Sequence, residues 1–113
     1  MPESVWKQLT RVLGIEDLAQ LLGVSAASIR RYTRTTRTTP DEVAARLHWL
    51  ALVVGDLSGA YNEIGIRQWF DRRRVPLDGR TPTEILMGSW KPDDAGPQRV
   101  RSLAHALVDS PAT

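Results

Sequence analysis

Apolar side chains recur at helical spacing along most of the chain, and no segment alternates between apolar and polar residues for long enough to predict a strand. The sequence therefore predicts an all-α protein. A first helix is expected from Ser4, as its N-cap, to Gly14. Its apolar stripe consists of Val5, Trp6, Leu9, Val12 and Leu13.

Two short helices follow, separated by a glycine turn. The first is predicted over residues 16–22 and ends at Gly23, and the second follows Ser25, its expected N-cap. The positions expected to hold the pair together are Leu18, Ala19, Leu22, Val24, Ile29 and Tyr32. This pattern predicts a helix-turn-helix, with a helical hairpin that has a merely solvated basic face as the alternative. Residues 33–39 are polar and largely β-branched, which predicts a linker.

The later helices have clear start signals. "TPDE" at residues 39–42 and "TPTE" at residues 81–84 each predict a capping box, with threonine at the N-cap, proline at the first helical position and glutamate at the third. Further helices are expected over residues 40–57 and 61–71 and from about Pro97 onward. The inner face of the last helix is predicted to consist of Val100, Leu103, Ala104, Leu107 and Val108.

Positive charge is concentrated near the predicted helix-turn-helix. Residues 1–40 contain six Lys/Arg and three Asp/Glu, whereas residues 41–113 contain nine and ten, so the first part carries +3 and the rest −1. Such a patch is typical of DNA binding. Small residues at the start of the second short helix let it enter a major groove, and the arginines bind either bases or phosphates. The predicted DNA-binding residues are Ser25, Ala27, Ser28, Arg30, Arg31, Arg34 and Arg37.

Composition argues against several other classes of protein. The 113 residues include no cysteine and two histidines, which excludes disulfides, thiolate zinc sites and histidine-rich metal sites. The longest apolar run, residues 49–55, is too short to cross a bilayer, and we expect a soluble, cytoplasmic protein. No phosphate-binding loop, carboxylate pair or metal spacing appears, so neither an enzyme nor a cofactor is expected.

The C-terminal half carries motifs of a known family. "IRQWFDRRRVPLDGRTPTEILMGSW" at residues 66–90, followed by "PQRVRSLAHALV", resembles the toxin-binding domain of the Xre/MbcA/ParS antitoxin family. The matching positions are Trp69, Phe70, Leu77, Gly79, Pro82, Ile85 and Leu86, followed by Val100, Leu103 and Leu107. With the helix-turn-helix, the resemblance covers nearly the whole chain.

The resemblance implies an antitoxin that represses its own operon and covers the active site of a RES-domain toxin that consumes NAD. It implies a helix-turn-helix domain at residues 1–38, a connecting and dimerising helix at 39–58 and a toxin-binding domain at 59–113. The expected partners are the toxin, operator DNA and a second copy of the chain, within a larger toxin-antitoxin complex. The expected toxin-binding residues are Trp69, Arg72, Arg73, Arg74, Leu77, Gly79, Arg80, Trp90, Arg101 and His105.

The residue types and their spacing also allow other assignments. Trp69, Leu77 and Trp90 are also core candidates, because large apolar residues at helical spacing are usually buried. The arginines of residues 72–80 are equally typical of a solvated face. A stand-alone repressor with a C-terminal dimerisation domain is the alternative function, and a protein-interaction adaptor would leave the N-terminal arginines unexplained.

Overall fold

Seven α-helices and one short 3-10 turn form the regular structure of residues 2–34 and 39–109, the parts of the chain that the computed structural model describes. The helices are α1 (Pro2–Leu13), α2 (Ile15–Leu22), α3 (Ala26–Arg34), α4 (Asp41–Ser58), α5 (Glu63–Phe70), α6 (Pro82–Ile85) and α7 (Ala95–Asp109), and the 3-10 turn is Val75–Leu77. Bridged extended backbone in these residues is limited to one isolated antiparallel bridge between Arg74 and Arg80. The prediction of an all-α protein is confirmed.

α1 buries the stripe that its spacing predicts. Trp6, Leu9, Val12 and Leu13 are all buried, and Val5 is partly buried against them. The helix begins at Pro2, before the predicted N-cap at Ser4, so the predicted start was wrong. Proline suits the first helical position because the amide it lacks has no partner there in any helix.

α2 and α3 form where the sequence predicts them. Gly23 ends α2 in the left-handed conformation, with φ of 74°, and the Ser25 hydroxyl accepts a hydrogen bond from the Ser28 amide at 3.0 Å, which caps α3. The buried positions between the helices are Leu18, Ala19, Leu22, Ile29 and Tyr32, with Val24 partly buried. Thr33 and Arg34 extend α3 into the segment that was predicted as a linker.

α4 is the central helix of the fold. It packs against α1, α2, α5 and α7. Its buried residues are Val43, Arg46, Leu47, Trp49, Leu50, Val53, Val54 and Leu57. The helix expected to connect two domains therefore buries one side against its own chain.

The two predicted capping boxes have different outcomes. At α6 the box forms, because the Thr81 hydroxyl accepts from the Glu84 amide at 3.0 Å and the Glu84 carboxylate accepts from the Thr81 amide at 2.8 Å. At α4 it does not form: the N-cap residue is Pro40, and no side chain caps the helix. The box predicted at Thr39 was wrong.

The C-terminal half wraps α5, the 3-10 turn and α6 against α7 and α4. Asn62 caps α5 through a hydrogen bond from the Gly65 amide to its side chain at 2.8 Å. Val100 and Ala104 of α7 are fully buried, but Val108 is 52% exposed, so its predicted inward position was wrong.

One continuous core crosses the predicted domain boundaries. A single cluster of buried residues includes Trp6 of α1, Leu50 of α4 and Val100 of α7. The three predicted segments therefore share their interior. Among the described helices, no span is long and apolar enough to cross a membrane.

Candidate nucleic-acid interface

Most of the predicted DNA-binding residues lie on α3. Ile29 and Tyr32 point into the core, and the exposed positions are Ala27, Arg30, Arg31 and Arg34. Ser25 is also exposed and Ser28 is half-buried. Since residues three and four apart on a helix are neighbours, Ala27, Arg31 and Arg34 lie on one side of α3. Small side chains begin this face and guanidinium groups end it.

One of the α3 arginines contacts a buried aromatic side chain. The Arg31 guanidinium lies 5.3 Å from the centre of the Tyr32 ring, a cation-π contact. The Tyr32 ring lies 5.9 Å from that of Trp6. α3 contains no acidic residue that would neutralise these charges. The arrangement presents exposed positive charge beside small side chains.

Arg46, which the sequence analysis missed, and Trp90 hold the C-terminal end of α2, from which α3 departs. Arg46 donates from Nη1 to the Leu22 carbonyl at 3.0 Å and from Nε to the Trp90 carbonyl at 2.8 Å. The Trp90 indole donates from Nε1 to the Leu21 carbonyl at 2.7 Å. Arg46 is only 8% exposed. Its signal in the sequence was its place on the apolar stripe of α4, three residues after Val43 and four before Leu50.

The predicted DNA contact at Arg37 lies outside the described residues, as does the tail at residues 110–113.

Three of the predicted toxin-binding residues lie in the core. Trp69 is 3% exposed, Leu77 is 1% and Trp90 is 4%. The Trp69 ring meets the Phe70 ring edge to face at 5.3 Å, and the Trp90 ring meets the Trp49 ring in the same way at 4.9 Å. These side chains shape the C-terminal half from inside, and a partner docking on its surface does not reach them.

The arginines of the basic loop at residues 72–80 fall into two groups, those that bind main-chain carbonyls and those that do not. Arg74 lies 4.5 Å from the centre of the Trp69 ring and donates to the Trp69 carbonyl at 3.1 Å. Burial lowers the pKa of its guanidinium from the usual value. Arg73 donates to the Gly79 carbonyl at 3.2 Å. Both therefore bind the backbone of the loop, although Arg73 is exposed, as are Arg72, Gly79 and Arg80.

Arg101 and His105 lie on α7, one turn apart, and line one open groove. His105 Nδ1 is 3.4 Å from the Asp56 carboxylate of α4. An exposed ion pair joins the loop to α7, because the Arg99 guanidinium lies 3.7 Å from the Asp78 carboxylate. The exposed part of the predicted toxin-binding set thus extends over the loop and α7.

Comparison with known proteins found no matching protein-family model, no matching curated protein and no matching solved structure.

Proposed function

We propose that this chain is a DNA-binding protein that inserts α3 into the major groove. The observation that carries the proposal is the exposed face of α3, where Ser25 and Ala27 precede Arg31 and Arg34 without an intervening acid. A small-residue start lets a helix approach the base edges, and guanidinium groups further along bind phosphates or guanine. The cap at Ser25 and the buried Ile29 support a rigid presentation of this face.

We further propose that the protein is an antitoxin that neutralises a RES-domain toxin and represses its own operon. The resemblance of residues 66–108 to the Xre/MbcA/ParS family supports this, and so does the exposed position of Arg72 and Arg80 on a loop that other residues hold in shape. Arg101 and His105 extend the proposed toxin-binding surface along α7. The buried Trp69, Leu77 and Trp90 act in this proposal as its support. A homodimer and a larger complex with the toxin are part of the same proposal.

DNA binding is tested with two double variants of equal charge. Arg30→Ala with Arg31→Ala removes two arginines from α3, and Arg72→Ala with Arg80→Ala removes two from the loop. Binding to the promoter of the chain's own gene is measured by fluorescence anisotropy over a range of salt concentrations. If four phosphates are neutralised per subunit, log K falls against log salt with a slope of about −3.6, and the α3 variant reduces the slope to about −1.8. The loop variant keeps the wild-type slope. Equal losses in both variants would contradict an interface on α3.

The antitoxin proposal is tested with the same two variants in a growth assay. Each neighbouring open reading frame is induced with and without this chain, and rescue of growth identifies the toxin. The α3 variant should rescue growth fully, and the loop variant should not. If no neighbour is toxic while the salt-dependent promoter binding persists, the chain is a stand-alone repressor.

A further inference from the structure

A buried polar clamp fixes the C-terminal end of α2. The last four carbonyls of an α-helix have no partner within the helix and need one elsewhere. In α2, the Gly23 amide binds the carbonyls of Ala19 and Gln20. The carbonyls of Leu21 and Leu22 are bound by the Trp90 indole at 2.7 Å and by the Arg46 guanidinium at 3.0 Å. We refer to Arg46 and Trp90 as the α2 clamp.

The two clamp residues are also joined to each other. Arg46 Nε donates to the Trp90 carbonyl at 2.8 Å, and the guanidinium lies 5.8 Å from the centre of the Trp90 ring. Trp90 is 4% exposed and Arg46 is 8% exposed, so water competes little for these bonds. In such surroundings a hydrogen bond to a main-chain carbonyl is strong, and losing it is costly.

The clamp lies directly beneath the turn that leads into α3. A Cβ atom built on Gly23 would lie at ordinary van der Waals distance, 3.6 Å, from both Arg46 Nη1 and the Gly88 carbonyl oxygen, so the turn lies next to the clamp and to the segment before Trp90. α3 begins at Ala26, only a few residues later. The end of α2, the turn and the start of α3 therefore have little freedom to move while the clamp is intact.

We propose that Arg46 and Trp90 are positioning residues for α3, and that they tie the DNA-binding face to residues 86–90 of the C-terminal half. The effect of this positioning on DNA affinity rests on the DNA-binding function proposed above. Neither residue contacts DNA in this arrangement. Each acts through the two carbonyls that end α2 and thereby sets where α3 stands relative to the rest of the protein.

The chain offers a closely matched pair of variants. Trp49 is buried like Trp90, its ring touches that of Trp90, and among the described residues its indole nitrogen has no hydrogen-bond partner. Trp90→Phe and Trp49→Phe therefore remove the same atoms from the same aromatic cluster. Only Trp90→Phe removes a hydrogen bond to α2.

The first readout is amide hydrogen exchange of the full-length protein without DNA. In Trp90→Phe, the amides of Gly23 and Val24 and of the first turn of α3 should exchange about tenfold faster than in Trp49→Phe, which corresponds to the loss of one hydrogen bond. The amides of α7 should exchange alike in the two variants. Equal exchange around the turn in both variants would overturn the proposal.

The second readout is affinity for promoter DNA at a temperature where both variants are folded. Trp90→Phe should weaken binding about tenfold relative to Trp49→Phe, because only Trp90→Phe releases the end of α2. A merely structural role would instead lower the melting temperature of both variants and leave their DNA affinities equal. Unchanged affinity in both variants would refute the effect of α3 position on DNA binding. If the wild type itself binds no DNA, the proposed function fails, while the exchange contrast still decides whether the clamp positions α3.

Arg46→Lys provides a second route if Trp90→Phe does not fold. Lysine keeps the positive charge but places one nitrogen where arginine places a fork, so it cannot make both main-chain hydrogen bonds with the same geometry. The exchange rates around Gly23 should rise in this variant too. A variant that retains wild-type exchange at the turn would contradict the role assigned to the guanidinium.

Discussion

Two threonines that share the same capping signal should respond in opposite ways when their hydroxyl groups are removed. Thr39 and Thr81 each precede proline, and each is followed three residues later by glutamate. The Thr81 hydroxyl caps α6 by accepting a hydrogen bond from the Glu84 amide at 3.0 Å. The Thr39 hydroxyl oxygen is buried without a hydrogen-bond partner among the described residues. Valine replaces the hydroxyl with a methyl group of nearly the same size.

The expected free energies follow from these two environments. Thr81→Val removes a helix N-cap, which costs about 1 kcal/mol of unfolding free energy. Thr39→Val removes a buried hydroxyl that has lost its hydrogen bonds to water, and burying that hydroxyl lowers the free energy of unfolding by about 1 kcal/mol or more. The first variant should therefore be less stable than the wild type and the second more stable. For a chain of this length, each change corresponds to roughly 4 °C in melting temperature.

Thermal and urea unfolding of the two variants, followed by circular dichroism, measures both effects. The urea slope m should stay at the wild-type value, because neither substitution changes the surface exposed on unfolding. Each of the two variants serves as the control for the other. Loss of stability in Thr39→Val equal to that in Thr81→Val would refute the argument, because it would mean that the Thr39 hydroxyl caps α4 after all.

Three further changes test other parts of the structure. Asn62→Ala should cost about 1 kcal/mol, since it removes the acceptor for the Gly65 amide, and urea unfolding measures it. Gly23→Ala should cost at least about 1 kcal/mol by the same assay, because alanine at φ of 74° is strained even though its Cβ meets no close contact. The hydrogen bond from the Thr81 amide, aided by Arg73, lowers the pKa of Glu84 below its ordinary value of 4.5. The ionised carboxylate therefore favours the folded state above pH 4.5, and this contribution disappears as pH falls through the lower folded-state pKa. In Glu84→Gln, the midpoint of urea unfolding should depend less on pH across this range.

The fold class and most helix positions were predictable because they depend on periodicity. The stripe of α1, the inner face of α3 and the buried side of α4 each recur at helical spacing, and burial of apolar surface enforces that spacing in the structure. Gly23 and Ser25 were predictable for a local reason, since left-handed backbone and N-caps have strong residue preferences.

The errors arose where tertiary packing decides between equal local signals. "TPDE" and "TPTE" have the same capping chemistry, but the hydroxyl of Thr39 is buried away from the amide it would cap. Val108 continues the apolar spacing of α7, yet it is 52% exposed, so spacing near the end of the helix does not guarantee a neighbour to pack against.

Arginines that bind main-chain carbonyls were the residues that the sequence described least well. Counting charges assigns Arg46, Arg73 and Arg74 alike to solvent, although Arg46 is buried and Arg74 is half-buried. The partners in all three cases include main-chain carbonyl oxygens, and carbonyls carry no sequence signal. Which arginine binds a carbonyl depends on the path of the loop for Arg73 and Arg74, and on how distant segments meet for Arg46.

The continuous core bears on how the two proposed activities relate. Trp90, in the C-terminal half, donates to α2 across 69 residues of sequence, and Arg11 of α1 pairs with Glu63 of α5 at 3.1 Å. Contacts of this kind place the proposed DNA-binding and toxin-binding surfaces on one continuous core. If a partner binds one arrangement of residues 86–90 better than another, it shifts the equilibrium between positions of α3 by that difference in binding free energy, and DNA affects binding of the partner by the same amount, because coupling between sites is reciprocal. Under both proposals, DNA binding and toxin binding are therefore expected to be linked through the α2 clamp.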